Sequence, residues 1–245
     1  MSREPFQSVE RELKLEPEDP ALLDRLSAVD KLGPFEVVGR RAERQRNSFF
    51  DTPTRALRAA RLALRRRCVE SERLASATLP GEAPASSTLQ GQALATWTLK
   101  GEGDQLGGLA TRPEVELRLR EDMPPGMALE VLAQAARQRG AAALAEEAAD
   151  ALVGSRPPLA EPFLELVTHR RILDLRDSQG AQLELALDSV QLVGHPDRVE
   201  YEIEVELRRG DEAALEVARA AIAELGNVRD GQGSKLSRAL DYLRS

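Results

Sequence analysis

Regular alternation of charged and apolar residues is the feature that most constrains the fold of this 245-residue chain. In the segment VERELKL, residues 9–15, the charged residues Glu10, Glu12 and Lys14 occupy every second position, and valine and leucines lie among the residues between them. A period of two is that of a β-strand, whose successive side chains point to opposite faces. The segment is therefore predicted to be a strand with one charged face and one apolar face.

A similar alternation recurs in five further segments: 61–68, 96–100, 112–120, 182–188 and 198–208. For one strand, a core face and a solvated face explain such a pattern. The last segment, however, places four glutamates in line on one face, and like charges on neighbouring positions repel each other. The alternative is a closed barrel of about eight strands, whose apolar face lies outside under helices and whose charged face lines a lumen.

Helical patterns supply the covering elements that such a barrel requires. Leucine and alanine periodicity predicts helices within residues 18–33, 124–154, 211–226 and 234–245. Residues 35–50 read as mixed strand and loop. Residues 71–91 are small, polar and broken by proline and glycine, which predicts a mobile loop inserted in a hairpin. The predicted fold is α+β: one domain over 1–245, with a closed eight-stranded antiparallel β-barrel and helices packed outside.

Composition limits the partners and the compartment. The net charge of −7 disfavours nucleic acid, because phosphate backbones select basic surfaces. The single cysteine, Cys68, excludes an intramolecular disulfide and a cysteine-based metal site. The first residues lack the apolar core of a signal peptide, and no run is apolar enough to span a bilayer. We expect a cytoplasmic protein without a membrane partner, either monomeric or homodimeric.

A charged lumen restricts the ligand, because buried charges must balance each other or a bound ion. Carboxylates would hold a hard divalent cation, Mg²⁺ or Mn²⁺. Arginine and lysine side chains would hold a polyanion. Both sets together indicate a small polyphosphate bound with its metal.

The ordered motifs resemble those of the CYTH superfamily, the triphosphate tunnel metalloenzymes. The pattern of Glu10, Glu12 and Lys14 resembles the superfamily's N-terminal Glu-x-Glu-x-Lys signature. It is followed in order by RNSFFDTP, LALRRR, WTLKG, RPEVE, ALD, YEIEVEL and GSKLSRAL. These segments span nearly the whole chain. The resemblance implies an eight-stranded tunnel and metal-dependent hydrolysis of a triphosphate, without the helical CHAD domain that many bacterial members carry.

The resemblance also implies roles for individual residues. The expected metal ligands are Glu10, Glu12, Asp188, Glu202 and Glu204. The expected phosphate-binding residues are Lys14, Arg65, Arg67, Lys100, Arg112, Arg171 and Lys235. The expected catalytic set is Glu10, Glu12, Lys14, Lys100, Asp188 and Glu204, and Glu114 and Glu116 are expected to line the tunnel. For the arginine pair at 170–171, alternation with Glu165 favours Arg171, whereas a bulge would turn Arg170 inward.

The preferred substrate within this superfamily is inorganic triphosphate, hydrolysed to pyrophosphate and phosphate by direct attack of water. Aromatic residues make up 3% of the chain, so few side chains could stack on a base or a thiazolium ring. Two alternatives stay open: a thiamine or nucleoside triphosphatase of the same superfamily, and a non-catalytic module that binds polyphosphate or a phosphorylated ligand. The number of carboxylates favours catalysis, since a pure anion binder has no use for them.

Overall fold

A computed structural model describes residues 9–72, 88–89, 92–106, 108–153, 159 and 161–244. In these residues the strands are β1 (Val9–Pro17), β2 (Lys31–Leu32), β3 (Phe35–Phe50), β4 (Ala63–Glu72), β5 (Thr88–Leu89), β6 (Gln92–Lys100), β7 (Asp104–Leu106), β8 (Leu109–Arg120), β9 (Leu164–Arg176), β10 (Gln182–Leu192), β11 (Val199–Arg209) and β12 (Val228–Asp230). The helices are α1 (Ala21–Ala28), α2 (Ala56–Ala59), α3 (Pro125–Gln138), α4 (Ala142–Leu152), α5 (Ala213–Leu225) and α6 (Lys235–Tyr242).

Eight of these strands form a closed antiparallel barrel in the order β1-β11-β10-β9-β3-β4-β6-β8. The barrel closes because β8 pairs back onto β1, with Arg112 opposite Glu10 and Thr111 opposite Arg11. Closure removes the free sheet edges that would otherwise expose unpaired backbone groups. The predicted eight-stranded barrel is confirmed, and the short strands β2, β5, β7 and β12 extend its rims.

Helices α1 and α5 cover the outer face of β1, β9, β10 and β11. Leu13 of β1 and Ile203 of β11 point outward into a cluster with Leu22 of α1 and Ile222 of α5, and all four are fully buried. Burial of a leucine or isoleucine side chain stabilises the fold by about 1.5–3 kcal/mol. The apolar half of the strand alternation therefore packs outside the barrel, as predicted.

Helices α2, α3 and α4 cover the outer face of β4, β6 and β8. Trp97 of β6 is completely buried there, together with Leu99 and with Leu132 of α3. The indole Nε1 of Trp97 donates a hydrogen bond to the carbonyl oxygen of Arg120 at 3.2 Å, which satisfies its one polar group. The helical block between β8 and β9 thus serves as the second outer layer.

Helix α6 packs across one end of the barrel. Its residues Leu236 and Leu240 contact an apolar cluster that includes Phe49 of β3 and Leu166 of β9. Because these side chains also line the internal cavity, the cluster fills this end of the lumen rather than the outer surface. The interior is therefore apolar at one end and charged along the remainder.

The expectation of mixed strand and loop at 35–50 was wrong, because β3 runs through the whole segment. A bulge between Val37 and Gly39 shifts its register against β9, and beyond it both faces of the strand carry charged residues, so the sequence shows no alternation of charged and apolar positions. The expected loop at 71–91 falls largely outside the described residues, of which only 71–72 at the end of β4 and the two residues of β5 belong to it. None of the helices in the described residues is long and apolar enough to cross a membrane.

Candidate active site

The barrel encloses a cavity of about 470 Å³ whose walls are charged. Strand alternation places the charged residues of the barrel strands inside, and α6 adds residues at one end. Eight of the predicted site residues line this cavity: Glu12, Lys14, Arg65, Arg67, Lys100, Arg112, Glu204 and Lys235. Glu114 and Glu116, expected to line the tunnel, do so as well.

Acidic residues gather on the wall formed by β10 and β11. Asp188 and Glu202 are opposite each other in the strand register, and Glu204 follows on the same face. One carboxylate oxygen of each lies within 4.8 Å of the others. Asp188 and Glu202 have no solvent-exposed surface, so their charges require compensation from neighbouring groups.

Lys235 and Arg170 supply that compensation. The Nζ of Lys235 lies 3.0 Å from Oδ2 of Asp188 and 2.6 Å from Oε1 of Glu204, and it also contacts Glu202. Arg170 forms a bidentate pair with Asp188, at 2.8 Å and 2.6 Å, and contacts Glu204 as well. The acidic wall is therefore already paired with cations.

The pKa values follow from this pairing. Burial alone would raise the pKa of Glu204, but the charges of Lys235 and Arg170 outweigh it and hold the pKa well below its usual range. Burial alone would lower the pKa of Lys235, but Glu202, Glu204 and Asp188 raise it. The carboxylate of Glu204 and the ammonium of Lys235 are therefore both ionised at neutral pH.

The opposite wall, formed by β4, carries cations with weaker compensation, since Arg65 lies 3.7 Å from a carboxylate oxygen of Glu116. Arg67 donates a hydrogen bond to Oδ1 of Asn47 at 3.2 Å, but no carboxylate of the described residues lies within 4.0 Å of its guanidinium. Arg65 Nε is buried, and no described residue accepts a hydrogen bond from it. Burial among the barrel walls, with the charges of Arg65 and Arg170, lowers the pKa of Arg67 to about 10. An anion in the cavity would relieve this repulsion.

Strand β1 contributes the residues between these two walls. Oε1 of Glu12 accepts a hydrogen bond from Nη2 of Arg112 at 2.8 Å and lies 3.1 Å from Nζ of Lys14. Glu10 occupies a β1 position opposite Arg112, but its side chain lies outside the described atoms. Glu12 and Lys14 are almost fully buried, so strand β1 places a second acid–base pair inside the barrel.

The carboxylates present fit a hard divalent cation. Three oxygen donors within 4.8 Å of one another match the ligand chemistry of Mg²⁺ or Mn²⁺. In the structure the ammonium of Lys235 lies among these three carboxylates, so a metal ion at this place would have to share them with Lys235. Glu12 offers a further carboxylate on the adjacent strand, since β1 pairs with β11.

A family model for the CYTH domain matches residues 8–240. The chain belongs to the CYTH family. CYTH family members are metal-dependent triphosphatases. A comparison with curated protein sequences gave no significant match.

Solved structures share the fold of this CYTH domain. One is the Hippeastrum protein HpAC1, described as an adenylyl cyclase that reveals a dominant triphosphatase activity; it is 22% identical, with 93% of each chain covered and a TM-score of 0.52. Another is the PH1819 protein from Pyrococcus horikoshii, 18% identical, with 94% of this chain and 99% of that chain covered and a TM-score of 0.53. At these identities the similarity establishes the fold alone.

The CYTH domain turns Arg170, not Arg171, toward its tunnel, so the expectation for Arg171 was wrong. Arg171 lies on the outer face, where Nη1 donates hydrogen bonds to Asp24 at 2.7 Å and to Ser27 at 3.1 Å. No bulge causes this, because β9 pairs with β10 in continuous register. The error came from Glu165, which was taken to face inward but accepts hydrogen bonds from Arg46 and Ser48 on the outer face.

Other functional groups of the CYTH domain were missed from the sequence. Arg238 of α6 donates to Oε2 of Glu200 at 3.0 Å and to Oε1 of Glu202 at 3.3 Å. Its spacing of three residues from Lys235 places both on one helix face, and that signal could have identified it. Arg41 of β3, which pairs with Asp174 and Glu184, had no usable signal, because both faces of that strand carry charged residues.

Proposed function

We propose that this CYTH domain hydrolyses inorganic triphosphate to pyrophosphate and phosphate with the help of a divalent metal ion. One observation carries the proposal: a cavity of about 470 Å³ has a carboxylate cluster at one wall, of which Glu204 lines the cavity, and Arg65 and Arg67 on the opposite wall, where the only carboxylate within ion-pair distance among the described residues is Glu116, 3.7 Å from Arg65. A metal–triphosphate complex needs both groups at once, the carboxylates for the metal and the arginines for the phosphoryl oxygens.

The basic residues position the substrate and stabilise charge. Arg65, Arg67, Lys100 and Arg112 come from three adjacent strands and line the same cavity. Phosphoryl transfer depends mainly on neutralised oxygens and correct placement, and fixed cations supply both. Burial and the neighbouring charges of Arg65 and Arg170 lower the pKa of Arg67, so a bound phosphate would stabilise its charged form.

The acidic residues hold the metal ion and the water. Asp188, Glu202 and Glu204 would bind Mg²⁺ or Mn²⁺, joined by Glu12. The metal, when bound, neutralises phosphoryl charge and makes bound water more acidic. Among the described residues no histidine or cysteine lines the cavity, so we propose direct attack by water without a phosphoenzyme.

The cavity walls favour an inorganic substrate over an organic one. Phe49 is the one aromatic residue among the lining residues of the described chain, and it packs in the apolar cluster with α6. An adenine or thiazolium ring would therefore find little stacking surface. Thiamine or nucleoside triphosphate is the less favoured substrate for the same site.

A non-catalytic polyphosphate-binding module is the second candidate function. It is favoured by one observation, the pairing of Lys235 with all three clustered carboxylates, because this makes the acidic wall stable without a metal. In that case the arginine wall would bind the ligand and no bond would be cleaved.

The two functions differ in metal-dependent phosphate release. We would measure release from triphosphate, ATP, thiamine triphosphate and pyrophosphate with Mg²⁺ or Mn²⁺. The proposed enzyme turns over triphosphate fastest, and Glu12→Gln, which keeps the side-chain size, abolishes turnover. Glu70→Gln serves as the matched control, because Glu70 is exposed and pairs with Arg44 outside the cavity. Tight triphosphate binding without turnover would favour the binding module instead.

A further inference from the structure

A second set of arginines lines the outer part of the cavity. Arg58 lies in α2, Arg61 follows two residues after α2, and Arg139 caps the end of α3. All three line the same cavity as Lys100, and we call them the mouth arginines. The exposed fraction of the side chain rises from 14% at Lys100 to 69% at Arg61, so the cavity opens to solvent on this side.

The backbone that presents these side chains is strained. Arg61 has a φ of 59°, in the left-handed region that residues other than glycine adopt at a cost of about 1–2 kcal/mol. The turn is held by the buried Asp51 carboxylate, which accepts hydrogen bonds from the backbone N–H groups of Leu57 at 2.9 Å and Arg58 at 3.1 Å. A glycine at position 61 would relieve the strain, which makes Arg61→Gly a substitution that removes the side chain without destabilising the turn.

The charges at the mouth favour an anion. Arg61 pairs with the exposed Glu102, and Arg58 makes no side-chain hydrogen bond or ion pair within the described residues. Glu102 sits between two glycines in a loop that lies tightly on β8: a Cβ on Gly103 would come within 2.2 Å of the carbonyl oxygen of Thr111. The loop therefore holds Glu102 near Arg61 as its counter-ion. An anion of higher charge can displace the Glu102 carboxylate from Arg61.

We propose that the mouth arginines bind a phosphoryl group beyond the three held inside the barrel. Arginine suits this role, because its planar fork pairs with phosphate oxygens. The preferred substrates would then include inorganic tetraphosphate and longer linear chains. Hydrolysis adds one water across a terminal phosphoanhydride bond, so that tetraphosphate gives triphosphate and phosphate. This inference rests on the proposed site but extends its substrate class.

Polyphosphate binding in the absence of metal tests the role of the mouth arginines directly. We would titrate the full chain with triphosphate and tetraphosphate in EDTA buffer and compare Kd values by calorimetry. We expect tetraphosphate to bind more tightly, and Arg61→Gly to weaken it by about threefold to tenfold, with triphosphate changed less than twofold. Glu102→Gln should strengthen tetraphosphate binding, since it removes the competing carboxylate.

Arg55→Gly is the matched control. Arg55 also has a left-handed backbone, with φ of 60°, and flanks α2, but its guanidinium lies over the ring of Phe163 and does not line the cavity. Both glycine variants relieve the same strain, and only Arg61→Gly should change the tetraphosphate Kd. Equal effects on triphosphate and tetraphosphate, or none, would overturn the inference.

The test separates this inference from the proposed function. If triphosphate is not hydrolysed with any metal, the proposed function fails, and the ratio of the two Kd values still decides the role of the mouth. If Arg61→Gly weakens ATP binding as much as tetraphosphate binding, the mouth recognises any extension of the triphosphate, and the assignment to a fourth phosphoryl group is wrong.

Discussion

The Nζ of Lys235 lies 2.6 Å from Oε1 of Glu204 and joins helix α6 to the acidic wall of the barrel. The same ammonium contacts Asp188 and Glu202, so one side chain compensates three carboxylates. Because α6 also fills one end of the lumen with leucines, the apolar closure and the charge balance depend on the same short helix.

Lys235→Met is expected to make the protein depend on a divalent metal for stability. Removing the ammonium leaves Asp188, Glu202 and Glu204 with less compensation, and breaking a buried ion pair costs about 3–5 kcal/mol. Mg²⁺ should restore part of this loss by binding the released carboxylates. Unfolding by urea with Mg²⁺ and with EDTA measures the effect, and the Mg²⁺-induced gain should exceed that of the wild type.

Arg244→Met is the control for that experiment, because Arg244 is exposed and pairs only loosely with Asp241 at 3.6 Å. It should leave the free energy of unfolding and its metal dependence unchanged. If Mg²⁺ stabilises Lys235→Met no more than the wild type, the three carboxylates are not the metal site.

Two adjacent arginines of β4 should respond in opposite ways to replacement by methionine. Arg67 has no carboxylate partner among the described residues, so Arg67→Met should leave the free energy of unfolding unchanged or raise it, while triphosphate affinity is lost. Arg66 points outward, donates to the carbonyl oxygen of Glu121 at 3.1 Å and packs over Phe50 and Trp97. Arg66→Met should therefore cost about 1 kcal/mol of stability and keep activity.

Denaturant unfolding and triphosphate kinetics on the two variants check this contrast. A loss of stability in Arg67→Met with unchanged triphosphate affinity would contradict the assignment of Arg67 to the anion site.

Replacement of Arg170 and of Arg171 by glutamine should have very different effects on kcat/KM. Arg170 holds Asp188 in a bidentate pair inside the barrel, so Arg170→Gln should reduce kcat/KM by at least about a hundredfold. Arg171 bridges exposed groups of α1, so Arg171→Gln should change stability by less than about 1 kcal/mol and leave kcat/KM within twofold. Steady-state kinetics on both variants test this difference. A large loss of kcat/KM in Arg171→Gln would contradict the assignment of Arg171 to the outer face.

Acid should destabilise the barrel through Glu184. Its carboxylate lies 2.6 Å from Nη2 of Arg41 and 3.0 Å from Nη2 of Arg208. Burial alone would raise the pKa of Glu184, but the charges of Arg208 and Arg41 lower it. A lowered folded pKa contributes stability above the unfolded value of about 4.3, and this is lost as the pH falls through the folded pKa.

Glu184→Gln isolates this contribution. At pH 7 the free energy of unfolding of the variant should be about 1–2 kcal/mol lower than that of the wild type, and the difference should shrink as the pH falls below about 4.3. Urea titrations across this range measure it. A difference that stays constant with pH would show that the charge of Glu184 does not stabilise the fold.

Alternation predicted the barrel because it is a local property: inward and outward residues separate at every second position along β1, β8 and β11. The same rule placed Glu12 and Lys14 on the charged face of β1, and Arg65 and Arg67 on the charged face of β4. The structure brings all four side chains into one cavity. It failed where its reference point was wrong, as at Glu165 and Arg171, and where both faces of a strand are charged, as in β3.

The sequence by itself determined which faces of the strands are charged, which helices cover the barrel and which family the motifs resemble. Only the tertiary structure decided how the charges pair, because pairing joins residues far apart in the chain, such as Lys235 with Asp188 and Arg112 with Glu12. Strand period fixes the direction of a side chain, whereas the choice of its partner depends on register across the closed barrel. Among the described residues that register left Arg67 without a carboxylate partner, and the packing of α6 against the end of the barrel gave Lys235 three.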